Sequence, residues 1–299
     1  MLVNERLFWA IILLTAAVID YFIEYPNKVH PVVFTGKLIS FFDKHRISKK
    51  PIYEFIYGMI SIILIIFLWI LILYSIGFTP IYIRFIIYVY ILKSTFSIGA
   101  LSKAIKKCQV DDTEILRNNV AQIVSRNVKT LDRDHLLSAA FESGSENIVD
   151  SVISPVFYFI LFGIFGAVIY RVINTADAMI GYRSENYEYF GKFAARADDA
   201  LNFIPSRIFG LLVFLISPSR VSHNLRRYRK LKINGMYSMA TVAGLFNVMI
   251  EKIDYYRIDG PRFPDIRDLK RLEKFIYVIS YFFILMAITE VIIIGPWWS

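Results

Sequence analysis

Glu142-Ser143-Gly144-Ser145-Glu146-Asn147-Ile148-Val149-Asp150 places three carboxylates and an amide directly before an uncharged stretch of 20 residues, 151–170. On a helix turning about 100° per residue, Glu142, Glu146 and Asp150 fall within one arc, with Asn147 beside them. Carboxylates crowded on one face repel each other and raise one another's pKa unless basic groups or a cation lie opposite. A positive partner is therefore expected, and Arg126 and Arg117, in the segment just before, are the natural ones. A solvated acidic helix end is the plainer reading of the same nine residues, as is a surface arginine for Arg117.

A second dense run lies between Arg171 and Arg207. It holds Asn174, Asp177, Tyr182, Arg183, Arg196, Asp198, Asp199, Asn202 and Arg207. Asp198 and Asn202 stand four apart, with Asp199 adjacent, and give an oxygen-rich face without sulfur or paired histidines. Such donors suit Mg²⁺ with phosphate better than zinc. Here too a solvated helix is the alternative. His30 precedes Pro31, which forces an extended backbone and could aim the imidazole at a fixed point.

The elements that carry these residues read as membrane-embedded. The chain has 299 residues, 56% hydrophobic and 16% aromatic, above the apolar share of ordinary soluble domains. Membrane helices are expected over 7–23, where Asp20 is costly and a candidate functional residue, over 55–92, and over 275–294. Phe55 to Ile83 alone gives 29 uncharged residues, and Gly77, Thr79 and Pro80 then break the run. Residues 24–54 read as a basic loop interrupted by Pro26, Pro31 and Pro51. Residues 93–150 read as a helical segment, with an amphipathic helix after the caps Asp112 and Thr113. Gly163 and Gly166 divide 151–170 into halves, which leaves one full span or a hairpin that folds back. Residues 151–217 form a membrane-edge core and 218–274 a polar segment that covers a pocket, including the Met-bearing run 233–250. Trp297-Trp298 is an interfacial anchor. The fold class expected is all-α: one polytopic membrane domain with about four to six embedded helices.

Charge sets orientation and excludes other classes. The net charge is +9, and Arg220 to Lys232 is a basic block, so the polar segments are expected in the cytoplasm of a cell-membrane protein. No nucleic-acid motif is present. The single Cys108 and four scattered histidines argue against disulfides and zinc. Walker A, GxGxxG, GxSxG and kinase signatures are missing, so any ATP is not held by a P-loop.

One family pattern runs through the chain. It comprises Asp20…Pro26…His30-Pro31-Val32…Gly36, then Ala140-x-Glu142-Ser143-x-x-Glu146-Asn147-x-Val149-Asp150…Pro155. It continues with Tyr170-Arg171…Asn174-Thr175-x-Asp177-x-Met179-x-Gly181-Tyr182-Arg183 and Phe190-Gly191…Ala195-Arg196-x-Asp198-Asp199…Asn202-x-x-Pro205-x-Arg207. This resembles the CbiB/CobD family of cobalamin biosynthesis over nearly the whole length. Asn127 and Ser238 depart from it, where an aspartate and a proline are expected.

The resemblance implies an adenosylcobinamide-phosphate synthase. This is an ATP-dependent amide ligase joining adenosylcobyric acid, a corrinoid, to aminopropanol or its phosphate. An acyl phosphate is the economical route, which requires Mg²⁺, arginines on the transferring group and a base. In that scheme Asp198 and Asp199 hold Mg²⁺-ATP, with Glu146 as a further candidate. Arg183, Arg196 and Arg207 clamp phosphate oxygens, and Glu142 or Asp150 is the base. Asn147, Asn174 and Asn202 orient substrate amides or hydroxyls, and His30, Arg126, Asp177 and Tyr182 complete the binding set. Because ATP is cytoplasmic, 151–173 and 201–217 are expected to fold back or lie shallow, so that both acidic clusters reach one site. Membrane lipid and other cobalamin-assembly enzymes are the partners implied. A non-enzymatic membrane sensor of the related AmpE-like branch is the alternative function.

Overall fold

The computed structural model describes residues 2–46, 50–182 and 186–295. In chain order its helices are α1 (Leu2–Phe22), α2 (Pro31–Lys44), α3 (Pro51–Gly77), α4 (Ile81–Thr95), α5 (Ile98–Lys107), α6 (Thr113–Ala121) and α7 (Arg133–Ile148). A π-helical turn, Val149–Ile153, leads into α8 (Ser154–Ile180). After it come α9 (Lys192–Leu201), α10 (Phe203–Ile216), α11 (Pro218–Tyr228), α12 (Gly235–Phe246), the strands β1 (Ile250–Lys252) and β2 (Tyr256–Ile258), and α13 (Ile266–Ile293). Among the described residues the protein is all-α apart from this one antiparallel hairpin. Among the described residues five helices are long and apolar enough to cross a membrane: Pro51–Gly77, Ile81–Lys107, Arg133–Ile180, Lys192–Ile216 and Ile266–Ile293. That is the pattern of a multi-pass membrane protein.

The basic loop expected over 24–54 is mostly helix. Pro31 and Pro51 do not break structure but open it, each standing in the first turn of its helix, α2 and α3. A proline there loses nothing, since that N–H has no partner within the helix and the ring presets φ. His30 is extended, at φ −76° and ψ 122°, and its Nδ1 accepts from the Val32 N–H at 3.2 Å, which makes it the N-cap of α2. The break expected at Gly77-Thr79-Pro80 separates α3 from α4.

The chain forms two compact units. The first comprises Met1–Ser97, Ser154–Leu201 and Ile284–Ser299. Here α2, α3 and α4 all pack on α8, α9 lies against α8 and α3, and α1 lies along α4. Trp9 stacks on Tyr88 at 5.4 Å between α1 and α4, and the Trp69 Nε1–H donates to the Thr35 hydroxyl at 3.0 Å between α3 and α2. Asp20, expensive in an apolar helix, is buried with the equally buried Lys93, at 3.3 Å. Pairing of this kind is what makes an ionisable residue tolerable in such a helix.

Within this unit α8 is not straight. Phe162 (φ −138°, ψ 17°) and Gly163 (φ 63°, ψ −153°) leave helical geometry, and the Gly163 values are open in practice only to glycine. Beyond them the chain turns back on itself. The rings of Tyr158 and Tyr170 stack 5.5 Å apart, although twelve residues of straight helix would separate them by about 18 Å. A Cβ on Gly166 would collide with the Tyr158 carbonyl oxygen. Of the two readings left by Gly163 and Gly166, the structure shows the helical hairpin, with arms 154–161 and 164–180.

The second unit comprises Ile98–Ile153 and Asn202–Phe283. The almost wholly buried α12 packs on α7, α10 and α11, and β1 packs on α7. Ser138 of α7 accepts from the Glu251 N–H at 2.9 Å. Asp112 caps α6 by accepting from the N–H groups of Glu114 and Ile115. Gly144 lets Ile105 and Leu272 approach α7 closely.

Candidate active site

In the second unit the acidic face of α7 finds the basic partners that its charge demands. Glu142 is buried, and its carboxylate accepts from the Arg126 guanidinium at 2.8 Å and from the Tyr256 hydroxyl at 2.7 Å. Burial, then the negative charge and hydrogen bond of Glu142, hold the Tyr256 phenol well above the usual tyrosine range, so this hydroxyl is a donor throughout the physiological range. One turn later Glu146, half-exposed, pairs with Lys232 at 2.9 Å. Gly235 sits where a Cβ would press on the Glu146 carboxylate, so a main-chain segment forms one wall. The Asn147 side-chain amide donates to the Ser143 carbonyl at 2.9 Å and to its hydroxyl at 3.3 Å. Asp150 falls in the π-helical turn. Hydrogen bonding from i to i+5 there shifts it off the regular i+8 position in the stripe with Glu142 and Glu146.

Arg117, offered as a second partner of the stripe, instead donates to the carbonyls of Val128 and Leu131 at 2.6 and 2.7 Å and ties down the loop after α6. Arg207 is similarly engaged. Its guanidinium donates to the Asn234 side chain at 2.8 Å and to the Ile233 carbonyl at 3.0 Å, between the rings of Phe203 and Tyr237. Clamping a phosphate would mean exchanging those bonds. Asn202, between α9 and α10, is buried.

In the first unit a directional chain of donors runs from α8 to α9. Arg171 donates to Asn174 Oδ1 at 3.0 Å, and Asn174 Nδ2 donates to Asp198 Oδ1 at 3.2 Å. The Asn174 side chain is thereby fixed with its amide N–H groups toward the carboxylate. Asp199 is half-buried on the next position of α9, and Arg196 on the same helix is exposed. Asp177 lies where a Cβ on Gly181 would strike its carboxylate, so glycine is required beside it. Tyr182 is exposed, and Arg183 lies outside the described residues. The Tyr158 hydroxyl donates to the Leu201 carbonyl at 2.9 Å, an oxygen that Pro205, lacking an N–H, cannot satisfy. His30 is held below the ordinary histidine range by burial, then by the charges of Lys93 and Arg171.

The CobD/Cbib protein family matches residues 13–275. The "Probable cobalamin biosynthesis protein CobD" of Pyrococcus furiosus is 45% identical, over 88% of this chain and 92% of its own. The protein of that name from Thermococcus kodakarensis is 42% identical over 86% of both chains, and that from Methanocaldococcus jannaschii 36% over 96% and 98%. The chain belongs to the CobD/Cbib family. The match supports a role in cobalamin biosynthesis. No solved structure matches it.

Two residues of the Glu142 cluster in this CobD/Cbib member escape the sequence reading as site residues. Tyr256 stands 114 positions from Glu142 and Lys232 86 positions from Glu146. Only the basic block Arg220 to Lys232 pointed toward either of them. Among the described residues no three His, Cys, Asp or Glu side chains converge as a metal cage. A nucleotide-bound Mg²⁺ takes one or two carboxylates and fills its remaining positions with phosphate and water. The hard oxygen donors Asp198 and Asp199 fit that requirement.

Proposed function

We propose that this protein is an adenosylcobinamide-phosphate synthase, which joins the carboxylate of adenosylcobyric acid to the amine of aminopropanol or its phosphate with consumption of ATP. The observation that carries the reading is the face of α7, on which two family-motif carboxylates are each fixed by a cation, the inner one also by a half-buried tyrosine. Family membership supplies the substrate class. A corrinoid-carboxylate oxygen attacks the γ-phosphorus of ATP, the bond to the β-phosphate oxygen breaks, and an acyl phosphate and ADP result. The amine then attacks the acyl carbon, phosphate departs, and the proton lost by nitrogen passes to a carboxylate, Glu142 on this face or Asp150 in the π-helical turn that follows it.

Arg126 and Tyr256 keep Glu142 in one orientation, which favours proton transfer along a fixed line. When bound, Mg²⁺ neutralises phosphate charge. Asp198 and Asp199 would hold it, with Asn174 and behind it Arg171 as positioning residues. Arg196, exposed on α9, is available to phosphate oxygens, and Arg183 shares that expectation.

The test is an assay of detergent-purified protein with adenosylcobyric acid, Mg²⁺-ATP and aminopropanol phosphate. One ADP and one phosphate should appear per corrinoid amide. Asp198→Asn and Asp199→Ala should each lower turnover by about 10²-fold, the usual loss when one charge-stabilising group is removed. If the protein neither retains the coloured corrinoid nor consumes ATP in response to it, the sensor reading replaces this one.

A further inference from the structure

A cavity of about 480 Å³ opens in the second unit among α11, the end of α12 and the turn after β2, and it shares no residue with the Glu142–Glu146 cluster. Ser219, Arg220, His223 and Asn224 line it from one face of α11, the i, i+1, i+4 and i+5 positions of a helix. Asn247 lines the opposite side. It ends α12 in the left-handed conformation, φ 57° and ψ 51°.

The cavity is electrostatically one-sided. Among the described residues Asp259 is its one lining carboxylate, and both its oxygens are already taken. Oδ2 accepts from the Tyr228 hydroxyl at 2.8 Å and from Arg227 at 2.9 Å, and Oδ1 pairs with Arg257 at 3.2 Å. Among the described residues no carboxylate pairs with Arg220, which is exposed like His223. Arg226, Arg229 and Lys230, exposed on or just beyond the same helix, add to the positive charge of this segment. A guanidinium with an imidazole, a hydroxyl and an amide, facing a carboxylate that is already neutralised, is a donor set for a tetrahedral oxyanion. The planar fork of arginine matches phosphate oxygens two at a time.

We infer that this cavity binds a phosphate group, carried by a small phosphomonoester or by a phospholipid headgroup. The inference does not depend on the ligase reading, because it rests on residues that the proposed reaction does not use. The experiment measures thermal unfolding of the full chain in neutral detergent, with glycerol phosphate, with short-chain phosphatidylglycerol, and with potassium chloride at matched ionic strength. A tenfold excess over Kd should raise Tm by about 3 °C in at least one phosphate arm and not in chloride. A rise with glycerol phosphate assigns the site to soluble phosphomonoesters, and a rise with phosphatidylglycerol alone assigns it to lipid. The double variant R220Q/H223Q, altered only at exposed side chains, should keep its Tm in chloride and lose the rise. Saturable uptake of the same probe by unaltered protein in titration calorimetry provides a readout independent of the variant. Equal Tm in phosphate and chloride, or a rise that the double variant retains, overturns the site.

Discussion

At the scale of the residue, Glu142 is held by two donors of different kinds, and the two can be separated. Tyr256→Phe removes one hydrogen bond to a buried carboxylate and leaves Arg126 in place. It should cost about 2 kcal/mol of stability, read as the loss in denaturant unfolding, and should lower turnover without abolishing corrinoid binding. Glu142→Ala strands Arg126 and should cost more, about 3 kcal/mol. His30 gives a pH signature. Its folded pKa is depressed, so between that value and the unfolded one, about 6.5, the unfolded chain binds more protons. Stability is complete above the unfolded value and is lost as pH falls through the window below it. His30→Asn, which keeps a cap, should flatten the drop in Tm between pH 7.5 and pH 5.5. The spacing of Glu142 and Glu146, and the demand for Arg126, were legible because helix periodicity and charge balance are local rules. Tyr256 and Lys232 were not, since no spacing rule reaches across 114 or 86 residues.

At the scale of the element, the prolines were the informative failure. Pro31 and Pro51 look like interruptions in a basic stretch, yet a proline that ends one pattern is equally suited to begin a helix, and burial of Thr35 and Ile39 decides in favour of α2. The β-hairpin went unread for another reason. Its strands are three residues each, too short to show alternation, and the turn is made by Asp254 at φ 64°. Gly163 was legible as a break, but only the contacts show which way the chain goes. Gly163→Ala should destabilise the protein by about 1–3 kcal/mol, measured as the shift in denaturant midpoint. Cysteines replacing Tyr158 and Tyr170 should be joined by a short bifunctional thiol reagent in detergent. A straight α8 would leave them unlinked.

At the scale of the whole molecule, the protein should sediment with membranes and be released by detergent but not by carbonate at high pH, as expected for several apolar helices held in lipid. Cys108, wholly buried and with its thiol pushed up by burial to about 11, should resist maleimide until the protein is denatured. Introduced cysteines can therefore be read against a silent background. Composition and run length carried the membrane assignment. The sidedness of each polar segment calls for labelling of this kind, for instance at positions flanking α8.

That helix bears on how crossings are counted. A hydropathy tally credits the apolar stretch before Ile180 with a single passage, but a segment that doubles back at Phe162-Gly163 adds an even number, zero or two. Reporters fused at the two ends of the hairpin should then record the same compartment. For any relative that keeps the Phe-Gly reversal, a topology drawn from hydrophobicity alone would assign every loop beyond it to the opposite side.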